Sequence, residues 1–421
     1  MKVTLRHGLG LLLGASIIYL GSGNVRRVGE SLSPPFVYWK DCIQPYLMGK
    51  AILQGANPYT PLPQLARAWL PKASPANHPT PYPPLVGLLG VPLALLSFES
   101  VVRVWLAVEL GCLLAALILL CRFSGVGVNP ITLAVLYGLA LVWRPVSDEL
   151  RQGQFTSGLL LLLTASWLAL RQNKDGLGGV LLGALISIKL IAWPVVLWLM
   201  LCRRWRAVRA AAACVVVAHL LALSTIGISG IVDYYVRVGP MNAALWRPSE
   251  GNYSAWAWGN RLFQGAGFSF VIQPWWKAPG LALVATYLFP TLLLCVGLWL
   301  ARRAAGFDTA FSILIGVSIL VSPVAWSFYL ILTAIPIVVL ASRLSIRGWP
   351  VETTVLAALA LALLSIPADT YEHMARSFGE RPEPTSMLVV PFGPSLLLLT
   401  PVIGMFGLLW LTWRLDAVTE P

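Results

Sequence analysis

The sequence predicts an all-α, polytopic integral membrane protein with about 12 transmembrane helices and a large first extracytoplasmic loop. Composition is the first reason. Of 421 residues, 57% are hydrophobic and only 11% charged, outside the range of soluble domains. Second, apolar runs of membrane-spanning length recur along the whole chain. Third, clusters of basic residues recur in short connections between those runs.

The elements follow in order. An apolar segment from about Leu9 to Leu20 follows Lys2 and Arg6 and ends without a small-x-small cleavage site, so it reads as a retained first helix. Arg122, Arg171 with Lys174, the Arg203-Arg204-Trp205-Arg206 cluster, Arg302-Arg303, Arg343 with Arg347, and Arg414 occupy short connections. The positive-inside rule makes these cytoplasmic, with both termini inside, and leaves the long segments 24–101, 231–280 and 368–393 outside. Residues 81–98 are apolar, but a span there would invert the next loop; a re-entrant or surface-lying piece is expected. Spans follow at about 102–121, 130–146 and 156–171. Residues 177–202 carry cytoplasmic charge on both flanks, yet are too few for two full crossings at about 1.5 Å per residue. Two half-length helices meeting near Lys189 to Pro194 satisfy both constraints. Later spans are expected at about 209–230, 281–301, 308–323, 326–342, 352–367 and 394–413, giving one membrane domain over 1–421.

Several function classes are excluded. The six cysteines show no close pairing, and the four histidines lack metal-ligand spacing, so the sequence requires no metal and no cofactor. The net charge of +13 lies in short membrane-edge loops and in two long loops, which does not suggest nucleic acid. A Rossmann fingerprint and a P-loop are both missing from the sequence.

The stretch from Asp41 to Tyr59 carries the most chemistry. Pro45 suits the first turn of a short helix, which makes Gln44 the expected cap, and Gly55 ends that helix before the Asn57-Pro58 turn. Asp41 thus lies just before a helix N-terminus, where a carboxylate is stabilised and can still point into a cleft. Two roles are open to it: a helix-start residue or a general base. Lys189 either snorkels to an interface or binds an anion. Arg261 either pairs with Glu250 or binds an anion. Asp148 and Glu149 read as a solvated turn, and most of the 18 tryptophans as an interfacial belt.

The spacing Asp41-x4-Tyr46-x8-Gly55-x-Asn57-Pro58-Tyr59 is followed by Tyr82-Pro83-Pro84, Gly153-Gln154, Lys189, Asn252-x-Ser254-x6-Arg261 and Ser322-Pro323-x2-Trp326. This order resembles glycosyltransferase family 87 of the GT-C superfamily, which includes polyprenyl-phosphate-mannose-dependent α-(1→2)-mannosyltransferases. The resemblance runs from about residue 38 to 342. It implies an inverting transfer of a hexose, mannose in those relatives, from a polyprenyl-phosphate donor to a glycan or glycolipid acceptor. The active site would face the exterior of a bacterial plasma membrane. Such a reaction needs one carboxylate base to take the acceptor proton, and Asp41 is the candidate. Arg261, Lys189 and Arg247 are candidates for the donor phosphate. Tyr46, Lys50, Asn57, Tyr59, Tyr82, Gln154, Asn252, Ser254 and Trp326 are candidates for substrate contact. Two other readings are a transporter of lipid-linked sugars and an oligosaccharide polymerase or ligase with a pyrophosphate-lipid donor.

Overall fold

The computed structural model of the chain describes residues 22–125, 128–366, 368–381 and 387–416; the expected first helix, 9–20, and both termini lie outside them. The described residues are overwhelmingly helical. Among the described residues five helices are long and apolar enough to cross a membrane, or seven if each sharply bent pair counts as one span. The sequence suggested about 12. One expected span, 9–20, lies outside the described residues, and several apolar runs form helices of 11 to 16 residues, about 17–24 Å long and shorter than a hydrocarbon core of about 30 Å.

The first long loop has a core of its own. Its helices α1 (Ile43–Leu53), α2 (Leu62–Trp69) and α3 (Pro84–Ala94) lead into α4 (Phe98–Ser124). Val37, Tyr46, Leu47, Leu62 and Leu65 are buried against Phe98 and Val101 at the start of α4. Helix α1 begins at Ile43 with Cys42 as its cap, not Gln44, although Pro45 still falls in the first turn. Gly55, with φ 66°, follows the helix end as expected. Helix α3 is too short to cross and fits the re-entrant or surface-lying expectation for 81–98. It crosses α1 at a backbone contact that only glycine permits. A Cβ on Gly90 would stand 1.9 Å from the Pro45 carbonyl oxygen, and one on Gly49 2.2 Å from that of Gly90.

The chain then runs back and forth. Helix α5 (Pro130–Val142) bends by 71° into α6 (Arg144–Gln152). Asp148 and Glu149, expected in a solvated turn, therefore lie within a helix and are buried. Helices α7 (Thr156–Arg171), α8 (Asp175–Ile188) and α9 (Trp193–Leu201) follow. The last two are the pair of half-length helices expected around Lys189. Helix α10 (Trp205–Asp233) breaks at Gly227, with φ 68° and ψ 172°, before continuing through Tyr234–Val238 into α11 (Gly239–Trp246). His219 Nε2 lies 2.7 Å from the Tyr235 hydroxyl, whereas a straight helix would separate their Cα atoms by about 24 Å. The run must therefore turn back on itself at Gly227.

The remaining helices of nine residues or more are α12 (Ala255–Phe263), α13 (Pro279–Arg303), α14 (Phe307–Val321), α15 (Ala334–Ile346), α16 (Val351–Ser365), α17 (Ala368–Arg376) and α18 (Thr400–Asp416). Every residue of α14 from Thr309 to Val321 is buried, which makes it the central helix of the bundle. The two later long segments, 231–280 and 368–393, meet each other through a short parallel pair, β1 (Val271–Ile272) with β2 (Val389–Val390).

Ion pairs join the short basic connections at one end of the bundle. Arg171 meets Asp308, Arg204 meets Asp175 and stacks over Phe307, and Arg343 meets Asp416, which also accepts the Gly306 amide. Measured from that end, α7 and α8 rise only about 24 and 21 Å, whereas α4 is about 40 Å long. Short helices among long ones leave a hollow above their tips. Gln154, Lys189 and Ser322 sit at those tips.

The α1–α3 crossing predicts a specific sensitivity. Gly90→Val should lower stability in detergent by about 1–3 kcal/mol or more, read as an unfolding midpoint. Gly111→Ala, at a position with no heavy atom within 4 Å, should not.

Candidate active site

The hollow is a cavity of about 710 Å³ lined by Asp41, Gln44, Tyr82, Gln154, Lys189 and Trp326, among others. Asp41 reaches it because its segment is pinned to the end of α6. The Asp41 amide donates to the Gln152 carbonyl at 2.6 Å. Lys40 Nζ donates to the carbonyls of Leu150 and Arg151 at 3.0 and 2.9 Å and to Ser31 Oγ at 2.9 Å. A helix C-terminus leaves such carbonyls without partners, and an ammonium satisfies them. Burial lowers the Lys40 pKa to about 8. Gly153 closes α6 in the left-handed conformation, φ 68°, where a Cβ would also crowd Lys40 and Cys42.

Gln154 follows and organises the polar floor. Its Nε2 donates to Asp41 Oδ2 at 2.6 Å, while its Oε1 accepts from Lys189 Nζ and from the Tyr82 hydroxyl, each at 3.1 Å. Two donors on the oxygen and a carboxylate on the nitrogen fix the amide's orientation. Gln44 Nε2 donates to the other carboxylate oxygen, Asp41 Oδ1, at 3.0 Å, while Gln44 Oε1 accepts from Thr80 Oγ1 at 3.2 Å. Burial raises the Asp41 pKa above the ordinary carboxylate value; the two amide donors and the nearby Lys189 charge oppose that rise without cancelling it.

Lys189 lies at the break between α8 and α9. None of the ion pairs among the described residues involves it. Its ammonium stands 4.4, 5.4 and 5.7 Å from the ring centroids of Tyr329, Phe328 and Tyr82. Inserting a lysine at mid-membrane costs about 2.5–3.5 kcal/mol. Cation–π contacts return about 0.5–2 kcal/mol each. Three such faces and one amide bond therefore keep the ammonium in place without a carboxylate. Asp148 also lines the cavity but is committed to Arg144 Nε at 2.6 Å and Ser327 Oγ at 2.8 Å. Aromatic rings form the opposite wall, with Trp246 edge-on to both Trp326 and His78.

Other expected site residues lie elsewhere. Arg261 is buried, and its Nη2 donates to the carbonyls of Glu250 and Asn252 at 2.5 and 2.9 Å, so it tightens a loop and does not face the cavity. Burial lowers its pKa to about 10. Nor does it pair with the Glu250 carboxylate, which accepts the Phe268 and Ser269 amides. Arg247 is half-buried and absent from the lining. Asn252 Oδ1 accepts the amides of Ser254 and Ala325, each at 3.0 Å, and Ser254 Oγ donates to the Ser322 carbonyl. Together they clasp the 322–326 turn and so present Trp326. Tyr59 supports Tyr82 from behind through its hydroxyl. Tyr46 is packed on Phe98 with Lys50 over its ring, and Asn57 Oδ1 accepts the Tyr59 amide in an exposed turn. Gln44, Tyr329, Ser327 and Asn242 line the cavity without having been singled out as site residues. Tyr329, a polar ring within an apolar run, was the one signal available. Among the described residues no group of three or more metal-ligand side chains gathers.

A sequence model of glycosyltransferase family 87 matches residues 80–323, more than half of the chain. The chain belongs to glycosyltransferase family 87. The matched residues include Tyr82, Gln154, Lys189, Asn252, Arg261 and Ser322, whereas Asp41 precedes them and is brought to the same cavity by the fold. No curated protein and no solved structure matches the chain. Family membership together with five to seven apolar helices makes this a membrane glycosyltransferase.

The two cations should separate experimentally in this transferase. Arg261→Met should lower the unfolding midpoint, because the buried carbonyls it serves lose about 1–3 kcal/mol of hydrogen bonding. It should leave the affinity of folded protein for an anionic lipid within about threefold. Lys189→Met should show the reverse split: near-normal melting and affinity lowered at least about tenfold. Equal effects of both on affinity would contradict this division of roles.

Proposed function

We propose that the enzyme transfers a hexose, mannose by family resemblance, from a polyprenyl-phosphate donor to a glycan or glycolipid hydroxyl with inversion. The cavity would open to the extracytoplasmic side. The observation that carries this reading is the Asp41–Gln154–Lys189 line: a carboxylate and an ammonium with no ion-pair partner, held one amide apart in one hollow. Asp41 takes the proton of the acceptor hydroxyl as its oxygen attacks the anomeric carbon. The bond from that carbon to the phosphate oxygen breaks on the opposite face, and the charge gathering on polyprenyl phosphate is met by Lys189. No second acid is needed, because phosphate leaves without protonation, unlike the alcohol in glycoside hydrolysis. The aromatic wall of Trp246 and Trp326 offers faces for sugar rings. The volume of about 710 Å³ falls within the usual range of ligand sites.

The broken helix at Lys189 also suits a transporter of lipid-linked sugars, whose sites lie at discontinuous helices. Translocation by proteoliposomes without bond formation would favour that reading.

The test is turnover of radiolabelled polyprenyl-phosphate-mannose with mixed acceptors, compared with a pyrophosphate-lipid donor. Asp41→Asn should cost about 10²–10⁴-fold in kcat. A base must be ionised to act, so a raised pKa places the acid limb of kcat/KM above the ordinary carboxylate value of about 3.9. Gln154→Leu removes a donor to the charged form and should move that limb still higher. Undiminished turnover by Asp41→Asn eliminates Asp41 as the base.

A further inference from the structure

Beneath the Gln154 floor lies a second pair of acids that the transfer step does not use. Glu109 is on α4 and Glu149 on α6, 1% and 0% exposed. Neither forms an ion pair with a basic residue among the described residues. Glu149 Oε1 accepts the Ser157 amide at 2.8 Å, but Glu149 Oε2 and both Glu109 oxygens are buried without a hydrogen-bond donor. The nearest candidate cation is already committed. Lys40 shares a small void with Glu109 but spends its three protons on Ser31 Oγ and the carbonyls of Leu150 and Arg151. The two side chains face each other with the Ser157 hydroxyl beside them. Two ionised carboxylates without counter-charge in such a place are not sustainable, whereas the Ser157 amide on Glu149 Oε1 and the Lys40 ammonium bordering the void beside Glu109 support one negative charge between the two acids. One proton held between them satisfies the geometry: an O–H of one acid donating to an oxygen of the other.

The placement connects this pair to the base. Glu149 holds the Gly153–Ser157 connection from both sides. Its carbonyl accepts the amides of Gly153 and Gln154 at 2.8 and 3.3 Å, and its carboxylate accepts that of Ser157. Glu109 lies one helical turn beyond Trp105, whose indole N–H donates to the Gln154 carbonyl at 2.9 Å. One face of α4 thus grips the connection twice, once through Trp105 directly and once through Glu109 and Glu149.

We propose that Glu109 and Glu149 share a single proton and act as positioning residues, fixing the Gly153–Ser157 connection so that the Gln154 amide stays on Asp41. The kinetic part of this inference rests on the reading of Asp41 as the base; the shared proton does not.

Infrared spectroscopy of substrate-free protein at neutral pH, in the Asp41→Asn background so that Asp41 contributes no carboxyl, tests the proton. A protonated-carboxyl C=O band should be present and should vanish in Glu109→Gln, whose amide can donate to Glu149 in place of the acid. A band that persists in Glu109→Gln, or no band in the parent, overturns the shared proton whether or not sugar transfer is ever observed. With Asp41 intact, Glu109→Gln should keep kcat/KM within about threefold, because the donor is retained. Glu109→Leu should lose at least about tenfold, the size of one hydrogen bond to a charged group. It should also shift the acid limb upward as Gln154→Leu does. In the Gln154→Leu background, Glu109→Leu should add little, since the amide it positions is gone. Should Glu109→Leu fail to insert, Glu109→Asp, which withdraws the carboxyl by one methylene, carries the same comparison. A limb that stays in place, or a full additive loss in the Gln154→Leu background, reduces Glu109 to a packing residue and overturns the positioning role.

Discussion

In the proposed transfer a base and a cation must sit close together, yet a direct ion pair between them would disable both. At 4 Å and an effective dielectric of about 20, carboxylate and ammonium attract by about 4 kcal/mol, which would hold the acid ionised and make it a poor acceptor of protons. The Gln154 carboxamide resolves this conflict. Its nitrogen serves Asp41 and its oxygen serves Lys189, so each charge is satisfied by a neutral group and neither neutralises the other. Much of the nearby architecture converges on that amide. Gly153 turns the chain toward it, Trp105 and Glu149 hold its backbone, and Tyr82 shares its oxygen, while Tyr59 supports Tyr82 from behind.

The hollow that contains this amide is a consequence of helix length. Apolar runs ended early by Gly153, by Lys189 and by Ser322-Pro323 make helices that stop short of their neighbours. Polar groups collected at those tips lie above a dry core centred on α14, below the rim built by the first loop and by the returning segment after Gly227. Depth and polarity are thus set together: the same breaks that shorten the helices release backbone and side-chain groups that need partners.

Much of this was legible in the sequence, and the reasons differ by residue. The break at Lys189 followed from counting, since charge on both flanks of 177–202 left too few residues for two crossings. Asp41 stood out because it opened the polar stretch after the first apolar run. Arg261 was read as a ligand for phosphate from its place in a polar loop; it lies outside the cavity lining, and its Nη2 serves backbone carbonyls that carry no sequence signature. Gln44 was read as a helix cap, although Cys42 fills that position and frees Gln44 to hold Asp41. Asp148 and Glu149 looked like a solvated turn, whereas the four-residue spacing of Arg144 and Asp148 is that of a buried helical pair. Span number was the least legible quantity, because an apolar run does not reveal where its helix will stop.

The central claim is that the reacting phosphate and the acceptor hydroxyl meet on either side of the Gln154 amide. An experimental structure with a non-transferable polyprenyl-phosphonate sugar and an acceptor glycan tests it most directly. The account predicts phosphonate oxygens within hydrogen-bond distance of Lys189 Nζ, an acceptor hydroxyl on Asp41, and Gln154 unmoved between them. A phosphonate seated on Arg261 or Arg247, with Asp41 facing no ligand atom, would contradict it.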